Sequence, residues 1–287
     1  MSHYRSRFPR PRLPRPAASL PQSSFSVPCS SLVPRIVHPY TLAAVGLCRP
    51  HPSSAFWQKE LWVDLRVLPL HPEARALLFA WAENRARERL GAGGKTQFFV
   101  DERDEALRAR LDEAGHAVVR SSYVMKCALE GDLRAPVWPA GLVRRPFAAR
   151  DAGEVHAAHE EAFADHWGYT PGSFERWRAH NLAERDDTSL WSVAWAGDEI
   201  AGVCINRPRH GEDETVGWVD VLAVRRPWRR RGLGEALLRN ALVSFAACGK
   251  RSAGLGVDAE NTTGAVSLYE RVGLRVVRRS DTWERTL

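Results

Sequence analysis

The chain has 287 residues, 44% of them hydrophobic, eleven tryptophans and a formal net charge of +7, enough for one large or two small domains with a substantial core. The charge is local: residues 1–54 hold Arg5, Arg7, Arg10, Arg12, Arg15, Arg35 and Arg49 with no Lys, Asp or Glu, which leaves 34 basic against 34 acidic residues in the remainder. A neutral body argues against a nucleic-acid partner.

Five scattered cysteines (Cys29, Cys48, Cys127, Cys204, Cys248) never form Cys-x-x-Cys, which argues against a disulfide framework or a zinc site and fits a reducing cytosol. The ten histidines show no ligand spacing, so no metal is expected. No apolar run approaches the roughly 18–20 residues of a membrane helix. The arginine-rich start lacks the apolar block of a signal peptide, and ten prolines before residue 55 would break the amphipathic helix of a transit peptide. The expectation is a cytoplasmic protein with no membrane partner.

In chain order, residues 1–54 read as a disordered Pro/Arg/Ser-rich tail. FWQKELWVDLRVL (56–68) reads as a strand, 71–90 as a helix with Ala74, Leu77, Leu78 and Trp81 on one stripe, and TQFFV (96–100) as a strand. Residues 104–116 read as a helix stopped by Gly115, and 117–129 as a strand. Residues 135–141, inside the Pro-rich stretch RAPVWPAG, are a linker. Residues 142–287 then give a strand, two helices, a hairpin turning at Gly197-Asp198 and a strand over 214–225. A helix with Leu233, Leu237, Leu238, Ala241, Leu242 and Phe245 on one stripe follows, then a strand over 252–259, a helix over 262–273 and one or two closing strands. Residues 57–134 and 214–287 share one order of elements, an internal repeat of whole-domain size.

The chemistry concentrates in RRPWRRRGLGEALL, residues 225–238. A strand, a glycine-bearing turn and then a helix is the general layout for phosphate: glycine lets the backbone approach, and the free N–H groups and dipole of the first helical turn face the anion. Gly232, Leu233, Gly234 and Glu235 open the helix, and Arg229, Arg230 and Arg231 stand ready for charge-assisted bonds. The turn is neither a dinucleotide fingerprint, whose next glycine would fall on Leu237, nor a P-loop, since no Gly-Lys-Ser/Thr occurs. A solvated arginine run, or a basic patch for nucleic acid with Trp228 as a stacking aromatic, is the competing reading.

VLAVRRPWRRRGLGEALL resembles the acetyl-CoA signature of the GNAT N-acetyltransferases, Arg/Gln-x-x-Gly-x-Gly/Ala. LGVDAENTTGAVSLYERVGL resembles their second motif, supplying Asn261, Ala265, Leu268, Tyr269 and Gly273, with Leu274 in place of the usual Phe. The doubled layout is similar to tandem GNAT proteins of the mycothiol acetyltransferase type from actinobacteria. The resemblance implies a mixed α/β sheet of the GNAT acyl-CoA N-acyltransferase fold, with a degenerate partial copy over 55–134 and a complete, catalytic copy over 142–287. It implies acetyl-CoA as acyl donor, held by the backbone of Leu222, Ala223 and Val224, by residues 229–235 and by Asn261. It also implies transfer to a primary amine of a small molecule or peptide by direct attack in a ternary complex. In the first copy the matching loop reads HPEARALL, with no Gly-x-Gly to let a cofactor approach.

Such a transfer needs a base for the amine, donors for the carbonyl oxygen, an acid for the leaving thiolate and alignment of the reactants. Tyr269 is the acid that the resemblance implies. The glutamate that this family type places on the strand falls on Trp218, so Asp220, two residues on and on one face with Trp218, Leu222 and Val224, is the expected base. Asp165, His166 and Trp167, where a helix gives way to a turn, are expected to line the acceptor pocket together with Trp218. The alternative function is a non-catalytic acyl-CoA-binding or regulatory module.

Overall fold

The computed structural model describes residues 35–38, 41–50, 60–67, 72–90, 93–131, 133–182, 187–211 and 213–287. The first half contributes β1 (Arg35–His38), β2 (Thr41–Pro50), β3 (Glu60–Val67), α1 (Pro72–Leu90), β4 (Lys95–Asp101), α2 (Glu105–Glu113) and β5 (Ala117–Ala128). The second half contributes β6 (Val143–Pro146), α3 (Ala152–Phe163), α4 (Phe174–Asn181), β7 (Ser192–Ala196), β8 (Glu199–Arg207), β9 (Val216–Val224), α5 (Leu233–Ala247), β10 (Ser252–Asp258), α6 (Ala265–Val272) and β11 (Arg275–Thr286).

The described strands form one mixed sheet in the order β1-β2-β3-β4-β11-β5-β10-β9-β8-β7-β6. Two adjacent pairs, β3–β4 and β9–β10, are parallel, each for four residue pairs. The repeat read from the sequence is thus visible in space as a pseudo-two-fold arrangement, with β3-β4-β11 on one side mirrored by β9-β10-β5 on the other. The closing strands are exchanged. β11, from the end of the chain, pairs antiparallel with β4 of the first copy, and β5 of the first copy pairs antiparallel with β10 of the second. The 135–141 connection therefore joins two chain segments whose sheets interlock rather than two separable sheets.

One sequence expectation is corrected. Residues 35–38 and 41–50, placed in the disordered tail, form an antiparallel pair that extends the sheet. Proline content dominated that reading, yet TLAAVGL is an apolar run of strand length. The closing segment is one strand, β11, carrying two register irregularities against β5. Residues 1–34, 39–40 and 51–54 of the tail and residue 71 of the first copy's loop lie outside the described residues.

The second copy is a three-layer sandwich. On one face α5 buries Leu233, Leu237, Leu238, Ala241, Leu242 and Phe245, the stripe expected from helical spacing. Each fully buried Leu or Phe contributes about 1.5–3 kcal/mol. Phe245 lies so close to β9 that a Cβ on Gly217 would sit 2.3 Å from its ring. On the other face α3 and α4 cover Trp191, Trp195, Val203 and Ile205 with Val155, Ala158 and Trp177. In the first copy Phe79, Phe98, Leu107 and Leu111 enclose Trp283 from β11, so the exchanged strand completes that core.

Candidate active site

The β9–β10 ladder stops at Val219–Leu255, while β9 stays paired with β8 out to Val224. The strands splay beyond this point, and the backbone edge of residues 220–224 facing β10 is released from that ladder. A cleft of about 510 Å³ lies beside it, lined by β9, by the turn into α5, by the turn into α6 and by the end of α3.

Both helices that open on this cleft begin with a left-handed glycine. Gly232 has φ +84° ahead of α5 and Gly264 φ +79° ahead of α6. No side chain caps either helix, so the N–H groups of their first turns remain available to an anion. Arg230 also adopts a positive φ of +62°, giving the turn a curvature in which successive amides can converge. Gly234 serves packing: a Cβ there would come 3.3 Å from Leu268 of α6.

Of the residues singled out from sequence, Leu222, Ala223, Val224, Arg229, Arg230, Gly232, Leu233, Gly234, Glu235, Tyr269, Asp165 and His166 line the cleft together. Arg229 is a brace within it. Its guanidinium donates to the carbonyls of Val224 (3.0 Å) and Ala162 (3.1 Å) and faces Asp165 at 3.5 Å. Asp165 also receives Arg226, whose hydrogen bond holds its carboxyl below the usual range. Together with Arg225 on Glu161, these bonds tie the end of α3 to the turn that leads into α5. Glu235 is engaged by Arg239 one helical turn on.

Arg231 is exposed next to the cleft rather than in its lining. Asn261 organises the turn before α6, its Oδ1 accepting from the backbone N and Oγ1 of Thr263. Trp167 stands over Arg120 of β5 at 5.5 Å. Sequence reading missed Thr262, Thr263 and Gly264, which line the cleft; the signal was the glycine just ahead of α6.

One expectation fails on geometry. Between Ile205 and Asn206 of β8 the register with β9 slips by one residue, and Asp220 is the extra residue of that bulge. Strict alternation therefore breaks. Val219, Leu222 and Val224 face the α5 core, whereas Val221 and Ala223 face α3. Asp220 is thus not on one face with Leu222 and Val224. It is exposed on the α3–α4 side, 3.4 Å from Arg207, and its charge reaches the His159 ring. Burial, above all, lowers the pKa of His159. Trp218 lies on that same side across Gly254, its ring 2.9 Å from where a Cβ would stand.

Tyr269 is buried in α6, and burial first, then the neighbouring Cys204, push its phenol up to about 12. It stays protonated at neutral pH and can act as a proton donor.

The sequence matches the model of the acetyltransferase (GNAT) family over residues 154–274. The chain is 30% identical to a crystal structure of a GCN5-related N-acetyltransferase from Sphaerobacter thermophilus, covering 85% of this chain and 76% of that one with a TM-score of 0.72. It is 34% identical over 211 residues to a mycothiol acetyltransferase of Streptomyces scabiei, covering 71% of this chain but only 63% of that relative. A tandem GNAT protein from the clavulanic acid biosynthesis pathway, 16% identical, shares the fold with a TM-score of 0.68 over 91% of this chain and 84% of its own. Motif, splayed strands and paired helix openings agree with these matches, and the chain belongs to the GCN5-related N-acetyltransferase (GNAT) family.

Proposed function

We propose that this protein transfers an acetyl group from acetyl-CoA to a primary amine of a small molecule or short peptide, by direct attack within a ternary complex. The observation that carries this reading is the coincidence of two uncapped helix openings with the strand splay, all bordering one cleft. The residues fit the donor: the first-turn amides of α5 and the backbone of Arg230 and Gly232 suit its pyrophosphate, and the released edge of residues 222–224 suits an amide-bearing arm. The side chain of Arg229 acts by holding this turn closed on α3. When bound, the donor supplies an activated thioester acetyl group.

The chain's own residues supply binding, orientation and proton transfer. Tyr269 Oη–H donates to the leaving sulfur. Asp220, on the α3–α4 side of the splay, attracts the acceptor ammonium and takes its proton, directly or through a water. The end of α3, with Asp165 and His166, covers the junction of the two sites. The catalytic copy is residues 142–287, and the first copy is a degenerate partner that supports it through the exchanged strands.

A second reading, a non-catalytic acyl-CoA-binding module, is favoured by one observation: Asp220 is exposed and paired with Arg207, which weakens it as a base. Measuring thiol release and acetyl-CoA binding side by side on wild type, Tyr269→Phe and Asp220→Asn decides between them. Enzymatic transfer requires lost turnover with retained binding in both variants. Binding with no turnover from wild type on any amine supports the module instead.

A further inference from the structure

A second cavity, of about 300 Å³, lies among α5, α6 and the segment that leaves β5. Its lining has two components. Leu133, Leu242 and Val272 are apolar, and Arg134, Arg239 and Arg271 bring guanidinium groups from three separate segments. The arginine of α5 is fixed in place: its side chain is 13% exposed, and Glu235, one helical turn back, accepts from it at 2.8 Å. Arg134 and Arg271 are more exposed, and their side chains have no hydrogen-bond or ion-pair partner among the described residues.

Like charges gathered on one cavity repel, and apolar walls strengthen the repulsion by lowering the local dielectric. Glu235 offsets one of the three charges, so two stay uncompensated by the described residues. An anion relieves that imbalance. Guanidinium forks suit the oxygens of a phosphate, and a phosphate monoester, close to doubly charged at neutral pH, matches two unpaired cations. The cavity also adjoins the cleft: Arg271 lines both, and Glu235 lines the cleft while holding Arg239. Arg239 stands six residues beyond Leu233, the start of α5, and its side chain reaches back toward Glu235. An anion on these arginines therefore lies roughly 5–9 Å from the first-turn amides, a separation of the order that a ribose spans between a 5′-pyrophosphate and a 3′-phosphate.

We propose that the cavity of Arg134, Arg239 and Arg271 is a phosphate-monoester site built by both copies of the fold. The site itself rests on the cavity alone. Its occupation by the ribose 3′-phosphate of coenzyme A rests on the acetyl-transfer reading, and a separate phosphomonoester is the other source of the same chemistry. The degenerate first copy thereby takes a direct part in ligand binding, since Leu133 and Arg134 are its last residues.

Calorimetry on the full chain with coenzyme A, 3′-dephospho-coenzyme A and inorganic phosphate tests this without turnover. Coenzyme A is expected to bind roughly tenfold or more tightly than its dephospho form. That ratio should fall toward one in Arg134→Gln/Arg271→Gln and return in part in Arg134→Lys/Arg271→Lys, with the affinity for the dephospho form unchanged in both variants. If the two coenzymes bind alike, but inorganic phosphate binds wild type saturated with the dephospho form and not the glutamine variant, the site stands and takes a separate phosphomonoester. Equal affinity for the two coenzymes together with no phosphate binding, or a ratio unchanged in the glutamine variant, overturns the proposal. If neither coenzyme binds while phosphate still binds wild type and not the variant, the acetyl-transfer reading falls and the phosphate site stands.

Discussion

Arg120 of the first copy grips Asp258 of the second with both arms of its guanidinium, Nε to Oδ1 at 2.9 Å and a terminal nitrogen to Oδ2 at 2.6 Å. Glu260 takes the other terminal nitrogen at 2.9 Å, and Trp167 covers the group. Asp258 ends β10, just before the turn that opens α6, so this clasp fixes the cleft wall from across the copy boundary. Arg120→Ala should cost only about 1 kcal/mol of stability, because the pair is partly solvated, yet raise the acceptor KM several-fold with little change in the affinity for coenzyme A. Urea melts run beside steady-state kinetics check both halves of that statement.

Tyr269→Phe removes the donor and leaves the ring packing intact. The expected result is a fall in kcat of about 10²-fold or more, with coenzyme A affinity unchanged by calorimetry. Since burial pushes the phenol up to about 12, activity should show no loss attributable to Tyr269 between pH 7 and 10. The same shift makes a stability statement: the native state favours the protonated phenol, so its contribution is complete below pH 10 and disappears as pH rises from 10 toward 12. Cys204, pushed by burial up to about 12 from a usual value of 9, adds alkaline sensitivity of the same sign.

Acid sensitivity has a different source. His116 is buried against Thr96 and Glu83 in the first copy's core, and burial, followed by the charge of Arg285, lowers its pKa to about 4. The native state therefore favours the neutral ring, and stability is lost as pH falls from about 6.5 to about 4. The full effect is on the order of 3 kcal/mol. Chemical denaturation across that range should show the slope in wild type and a shallower one in His116→Gln.

Gly217→Ala brings a methyl into the Phe245 ring and should destabilise by about 1–3 kcal/mol or more, read as a lower urea midpoint. Gly217→Ala/Phe245→Leu should recover part of the loss. Failure of the second change to help would show that the close approach of α5 to β9 is not the cause.

Much of this arrangement was legible in the sequence. The α5 stripe from Leu233 to Phe245 and the stop at Gly273 follow local rules of helical period and glycine conformation, and both hold. The doubled order of elements was also visible. The exchange of β5 and β11 was not, because which edge a strand joins depends on contacts far apart in the chain, and both strands carry the same pattern. The placement of Asp220 failed for a smaller reason: one bulged residue reverses the faces of a strand, and no local signal in VGWVDVLAV marks it. The two glycine-opened helices were read unevenly, since Gly232 sits in a motif and Gly264 in an ordinary-looking Thr-Thr-Gly turn.

The central claim is that the amides at the start of α5 bind the pyrophosphate of coenzyme A. A crystal structure of the full chain with coenzyme A measures this directly. It should show phosphate oxygens within hydrogen-bond distance of backbone N–H groups of residues 230–235, and Gly232→Ala, strained at φ +84°, should weaken binding at least tenfold. Coenzyme A lodged elsewhere, or bound to the Gly232→Ala protein as tightly as to wild type, would contradict the account.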